Sequence, residues 1–147
     1  MRNTLDKDLE SKLESKVKDV GNLLGITDIG VDDLASYFDT ESPYGDTTTL
    51  EDVTSSKWLL VHELYEIHEL KKMGFEISGK LLYSNPEEVN TAHVAATKVE
   101  LEMAFADGDT EWVKLRLRDV RNWVEDPDMT AEQLKSCEFL LERYAGV

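Results

Sequence analysis

The sequence predicts an all-α protein: an antiparallel helical bundle of five or six helices, in which residues 1–147 form a single helical domain. Apolar residues recur at steps of three and four over most of the chain, as they do along one face of a helix. Capping residues, glycines and prolines interrupt this pattern at helix-length intervals. The connections are short, so consecutive helices should be antiparallel neighbours. A length of 147 residues fits one domain.

The first half of the chain begins with the clearest amphipathic pattern. Leucines and valines from Leu5 to Leu24 mark the first helix, and Gly25 is expected to end it. Residues 31–39 are predicted to form a short second helix. Residues 40–49 contain Pro, Gly, Ser and Thr and are predicted to form a loop.

A third helix is predicted from about Leu50 to Met73. It starts at a near-match to a capping box, formed by Thr49 and Asp52, and Gly74 follows its last turn. Residues 75–84 fit either a short extended piece or an irregular turn.

The second half should contain three more helices, because each apolar segment there follows a residue that can cap a helix start. Pro86 takes the first helical position of one of them, and Thr130 with Gln133 forms a full capping box for the last. The predicted helices run from Asn85 to about Ala106, from Asp109 or Thr110 to Trp123 or Val124, and from Thr130 to a residue before Gly146.

Charge and composition exclude several functional classes. The net charge of −15 argues against a partner that is nucleic acid or an anionic membrane surface, because both require a basic face. No apolar run is long enough to cross a membrane, and the polar stretch from Met1 to Lys18 lacks a signal-peptide core. The single cysteine, Cys137, excludes a Cys-based zinc finger. We therefore expect a cytoplasmic protein, and surface Tyr and Trp residues would permit a homo-oligomer.

The third helix carries the first half of a candidate site. Its apolar residues point in almost every direction, which is typical of a central, buried helix. His62, Glu66 and Glu69 lie at positions i, i+4 and i+7, within about 60° of one another on a helical wheel. This stripe of ionisable side chains is therefore expected to face another helix.

The fourth helix repeats the same spacing with His93, Thr97 and Glu100. If the two helices are antiparallel, each histidine faces carboxylates of the other helix, and helical bundles build metal sites from such inward side chains. The predicted ligands are His62, Glu66, His93 and Glu100, and Glu69 is either a ligand or a supporting residue. Zn, Fe, Mn and Ni are the expected metals.

Two further residues are expected to support the ligands. Arg116 projects from the apolar side of the fifth helix, where a buried guanidinium needs a carboxylate such as Glu100 or Glu69. Thr97 lies between His93 and Glu100 in the fourth-helix stripe and is assigned to the same supporting set.

Two functions remain open at this level. One is a metal-dependent hydrolase or oxidoreductase, although the sequence identifies no nucleophile and no substrate pocket. The other is a non-enzymatic interaction or structural bundle, in which the buried His, Glu and Arg side chains only fix helix packing. The ligand types resemble those of ferritin-like di-iron carboxylate proteins, but the chain has no Glu-x-x-His step and no His-Glu-x-x-His zinc motif.

Overall fold

A computed structural model describes residues 5–40 and 48–147, and this part of the chain is helical without a strand, which confirms the predicted all-α bundle. Eight helices lie in these ranges. They are α1 (Lys7–Leu24), α2 (Val31–Tyr37), α3 (Leu50–Ser55), α4 (Lys57–Lys72), α5 (Leu81–Ser84), α6 (Pro86–Ala106), α7 (Thr110–Trp123) and α8 (Ala131–Arg143).

The expected count of five or six helices was too low, for two local reasons. The predicted third helix is divided at Ser56, whose backbone is extended (φ −127°, ψ 118°) and whose side chain accepts from the Leu59 N–H. Ser56 thus ends α3 and caps α4. Its hydroxyl accepts from a backbone N–H in the first turn of α4 that has no carbonyl partner within the helix. The second difference is α5, one helical turn within the segment 75–84, which was expected to be extended or irregular.

The predicted helix boundaries agree closely with the structure elsewhere. Gly25, Gly74 and Gly108 all have positive φ angles, of 71°, 93° and 80°, a conformation that glycine adopts without the Cβ penalty of other residues. Pro86 occupies the first position of α6, although Asn85 makes no side-chain capping bond there. The predicted loop at 40–49 lies mostly outside the described residues.

Helix α4 is central to the bundle. It packs along α6 and is also contacted by α1, α2 and α3. Its Leu60, Leu64, Ile67 and Leu70 are at most 1% exposed. His62 and Glu66 project from another face of α4 and are also buried by neighbouring helices. This agrees with the central position that the all-round apolar pattern predicted.

A smaller apolar cluster joins α6, α7 and α8 through Val94, Val120 and Cys137. Cys137 is fully buried, and burial raises the pKa of its thiol to about 11, so it remains a neutral packing residue. In the described ranges, no helix has both the length and the apolar content that a bilayer crossing requires.

Candidate metal centre

Three electron-pair donors from α4 and α6 converge inside the bundle. The Nε2 atom of His62 lies 3.2 Å from Oε1 of Glu66 and 3.0 Å from Nδ1 of His93. The same His93 nitrogen lies 2.9 Å from the Glu66 oxygen. We call these three residues the triad; they form a group that could hold a metal ion.

The local sequence explains this convergence. His62 and Glu66 are one helical turn apart on α4, so their side chains project from the same face. Ala92 and Ala96 of α6 are fully buried, and small side chains at such positions let the two helix backbones approach closely. His93 therefore reaches the α4 pair from the facing helix.

The opposite side of the His62 ring is held by Glu100. Nδ1 of His62 lies 2.8 Å from Oε1 of Glu100, and a carboxylate can only accept, so the imidazole donates its Nδ1–H. Burial lowers the pKa of His62, but hydrogen bonds and charges from Glu100 and Glu66 outweigh burial and raise it to about 10. The metal-free centre therefore holds a proton on His62 at neutral pH.

Glu100 is in turn fixed by α7. Its Oε2 accepts from the Trp112 indole N–H at 2.6 Å and from the Arg116 Nε at 2.8 Å. Burial raises the pKa of Glu100, but hydrogen bonding and charge from His62 and Arg116 lower it overall. Arg116 also donates to Asp119 at 3.1 Å. Glu100 is completely buried, and each of its oxygens has a donor.

Glu66 has a separate partner on its second oxygen. The Tyr37 hydroxyl of α2 donates to Oε2 at 2.5 Å, and Tyr37 is only 2% exposed. Burial raises the pKa of Glu66, whereas hydrogen bonds and charges from His62 and His93 dominate and lower it. Glu66 is therefore an anion with one oxygen bound to Tyr37 and the other in the triad.

His93 provides the most accessible side of the centre. Its side chain is 31% exposed, compared with 2% for His62 and 5% for Glu66. The Trp123 ring packs against it with a centroid separation of 4.7 Å. A small molecule approaching from solvent would therefore meet the triad at His93.

The facing atoms of the triad need a hydrogen or a metal ion between them. Glu66 carries no hydrogen, and neutral His62 has its only hydrogen on Nδ1, so its Nε2 presents a lone pair. These two acceptors are 3.2 Å apart, and both side chains are almost fully buried. A proton on His62 Nε2, a hydrogen on His93 Nδ1 or a metal ion satisfies two lone pairs that face each other at that distance.

The structure separates the seven predicted site residues into three groups. His62, Glu66 and His93 converge, and Glu100 and Arg116 bind behind His62. Glu69 lies outside the triad, next to Lys72 at 3.3 Å. The Thr97 hydroxyl donates to the main-chain carbonyl of His93 at 2.8 Å, so it contacts the backbone and not the imidazole.

The sequence did not identify two residues that hydrogen-bond to the carboxylates of this centre, Tyr37 to Glu66 and Trp112 to Glu100. Tyr37 lies in the predicted second helix and Trp112 in the predicted fifth helix, and each continues an apolar pattern there. Each has a polar atom that needs a partner when the ring is buried, and this requirement was the available signal. The identity of the partner depends on tertiary contacts, since Tyr37 is 29 residues from Glu66.

Comparisons of the chain with family models, curated proteins and solved structures found no match. Functional inference therefore rests on the triad and its partners.

Proposed function

We propose that the protein binds one divalent transition-metal ion through His62 Nε2, His93 Nδ1 and Glu66 Oε1. The observation that carries this proposal is the convergence of three electron-pair donors within 3.2 Å of one another in a buried site. Two imidazoles and one carboxylate suit Fe²⁺, Mn²⁺, Ni²⁺ and Zn²⁺.

The spacing of the donors favours six-coordinate ions. With metal–ligand bonds of about 2.1 Å, separations of 2.9–3.2 Å correspond to angles of about 90–100° at the ion. Such angles match three ligands on one face of an octahedron, whereas a tetrahedral site would need donors about 3.4 Å apart. We therefore propose Fe²⁺, Mn²⁺ or Ni²⁺ as the first ions to test.

The partners of the ligands support the same proposal. Metal-binding histidines in proteins usually donate their second ring N–H to a carboxylate, which fixes the ring and its tautomer. His62 has this partner in Glu100, which Arg116 and Trp112 fix in turn. A ligand set held in this way loses little conformational entropy when the ion binds.

The activity that this centre supports best is that of a metal-dependent oxidoreductase. Two histidines and one carboxylate on one face are typical of non-haem Fe²⁺ enzymes that activate oxygen, since the opposite face stays open to other ligands. The exposure of His93 supports access from solvent to that open face.

A second candidate function is a structural bundle without metal, and the raised pKa of His62 favours it. A proton on His62 satisfies the facing lone pairs, so the network could serve only to fix the packing of α4 on α6. This candidate predicts that added metal changes neither the melting temperature nor the heat of mixing.

Metal titration of untagged, chelator-treated protein distinguishes the two candidates. We expect one equivalent of Fe²⁺, added without oxygen, or of Mn²⁺ or Ni²⁺ to bind and to raise the melting temperature, because the ion binds only the folded state. The variants His93→Ala and Glu66→Gln should lose this response.

Two matched controls lie on the same helix as His62. His68→Ala and Glu69→Gln remove the same chemical groups outside the triad, since His68 lies 3.5 Å from Asp28 and Glu69 lies beside Lys72. Both variants should bind metal like the wild type. Failure of the wild type to respond to any of these ions, or equal loss in controls and triad variants, would overturn the proposal.

A further inference from the structure

We propose that Tyr37 is a positioning residue that restricts Glu66 to one oxygen at the metal, and so preserves three adjacent open coordination positions. This inference rests on the proposed function, because it concerns how the same ion is bound. It assigns to α2 a role in the centre beyond its packing against α4.

The geometry around Glu66 carries the argument. Its Oε1 lies in the triad, 2.9 Å from His93 Nδ1, while its Oε2 accepts the Tyr37 hydroxyl at 2.5 Å. A carboxylate can bind a metal through one oxygen or through both. An oxygen that already accepts a short hydrogen bond from a buried phenol is held away from the ion.

Burial makes this choice between one and two oxygens definite. Tyr37 and Glu66 are 2% and 4% exposed, so Oε2 is shielded from bulk water. Within residues 5–40 and 48–147, the donor to Oε2 is Tyr37, so the variant without the hydroxyl leaves the metal as the partner that we propose for this oxygen. Loss of the hydroxyl should therefore rotate Glu66 into two-oxygen binding.

The consequence concerns the ligands that the ion accepts. An octahedral ion held by three protein atoms has three positions left, and a second Glu66 oxygen would leave two. With three adjacent positions, a two-atom chelating ligand and a further small molecule can bind together. Tyr37 therefore determines whether the centre accepts two ligands at once.

The experiment measures the water molecules bound to Mn²⁺ in the full chain by water proton relaxation. We expect three waters in the wild type and two in Tyr37→Phe, with Mn²⁺ affinity equal or higher in the variant because the carboxylate then chelates. A merely structural hydroxyl would change stability and leave the number of waters unchanged.

Tyr144→Phe is the matched control, because it removes the hydroxyl of another buried tyrosine, which accepts from Arg143 Nε at 3.3 Å at the end of α8. It should keep three waters. Two waters in the wild type would overturn the inference even if Tyr37→Phe does not fold, and so would three waters in that variant. Absence of Mn²⁺ binding by the wild type would instead contradict the proposed function.

Discussion

The Nδ1–H of His62 donates to Oε1 of Glu100 at 2.8 Å, and this bond directs the opposite ring nitrogen towards Glu66 and His93. In the neutral ring that binds a metal, this hydrogen bond fixes both the tautomer and the direction of the Nε2 lone pair. Because Arg116 and Trp112 hold Glu100, the orientation of His62 depends on α7 as well as on α6.

Glu100→Gln should therefore weaken metal binding without removing a ligand. The amide is a poorer acceptor for the imidazole N–H and meets the Arg116 and Trp112 donors with its own N–H₂ group. We expect the affinity to fall by about 10- to 100-fold, the usual effect of losing such a partner. Titration calorimetry would measure the change, and the exposed Glu102→Gln, on the same helix, should show none.

Metal affinity should rise with pH. The pKa of His62 is about 10 in the metal-free centre, so the ion must displace a proton at neutral pH. We expect the apparent affinity to increase about tenfold per pH unit between about pH 6.5 and 9. Calorimetry in buffers of different ionisation enthalpy would detect about one proton released per ion. An affinity that does not depend on pH in this range would contradict the protonated His62.

The stability of the metal-free protein should show the opposite trend. His62 has a pKa of about 10 when folded and 6.5 as its ordinary value, so the folded state holds the proton more tightly. Its contribution is fully present below pH 6.5 and is lost as the pH rises towards 10. Urea unfolding at several pH values would measure this fall in the free energy of unfolding.

Glu66 and Glu100 determine how the free energy of unfolding of the metal-free protein changes in acid. The pKa values of Glu66 and Glu100 are lowered from 4.5, so their contribution is present above that pH and is lost as the pH falls towards the lowered values. The cluster should therefore stabilise the metal-free protein most between pH 4.5 and 6.5. Saturating metal should abolish the fall above pH 6.5, because the ion replaces the His62 proton and neither the folded nor the unfolded chain then holds it.

Arg116→Met should destabilise the fold by about 3 kcal/mol, because it removes one of the two charged partners of the buried Glu100. Arg116→Lys should restore part of the loss, since it returns the charge without the planar guanidinium. Arg118→Met, at an exposed position of the same helix, should change the free energy of unfolding by less than about 0.5 kcal/mol. Equal effects at Arg116 and Arg118 would show that the Glu100 pair contributes nothing.

The sequence predicted the parts of this centre that depend on local spacing. His62 and Glu66 share a face because they are four residues apart, and His93 reaches them because α6 packs on α4. Glu69 has nearly the same direction on a helical wheel, yet it pairs with Lys72 near the end of α4. A helical wheel gives the direction of a side chain and not what faces it at each height along the axis.

The other differences between the predicted and the observed site arise from contacts between helices, which residue spacing does not reveal. Whether Glu100 binds a metal or a ring nitrogen depends on the rotation of α6 about its axis, to which residue spacing is insensitive. Tyr37 reaches Glu66 from a short helix whose position is set by packing against α1 and α4. Ser56 divides the predicted third helix through a single capping hydroxyl, which a continuous apolar pattern conceals.

The central claim is that one metal ion binds to the three atoms of the triad, and anomalous X-ray diffraction from crystals grown with Mn²⁺ or Fe²⁺ tests it most directly. The account predicts a single buried anomalous peak about 2.0–2.3 Å from His62 Nε2, His93 Nδ1 and Glu66 Oε1, with Glu100 still bound to His62 Nδ1. An empty triad at saturating metal, or a peak held by other residues, would contradict it.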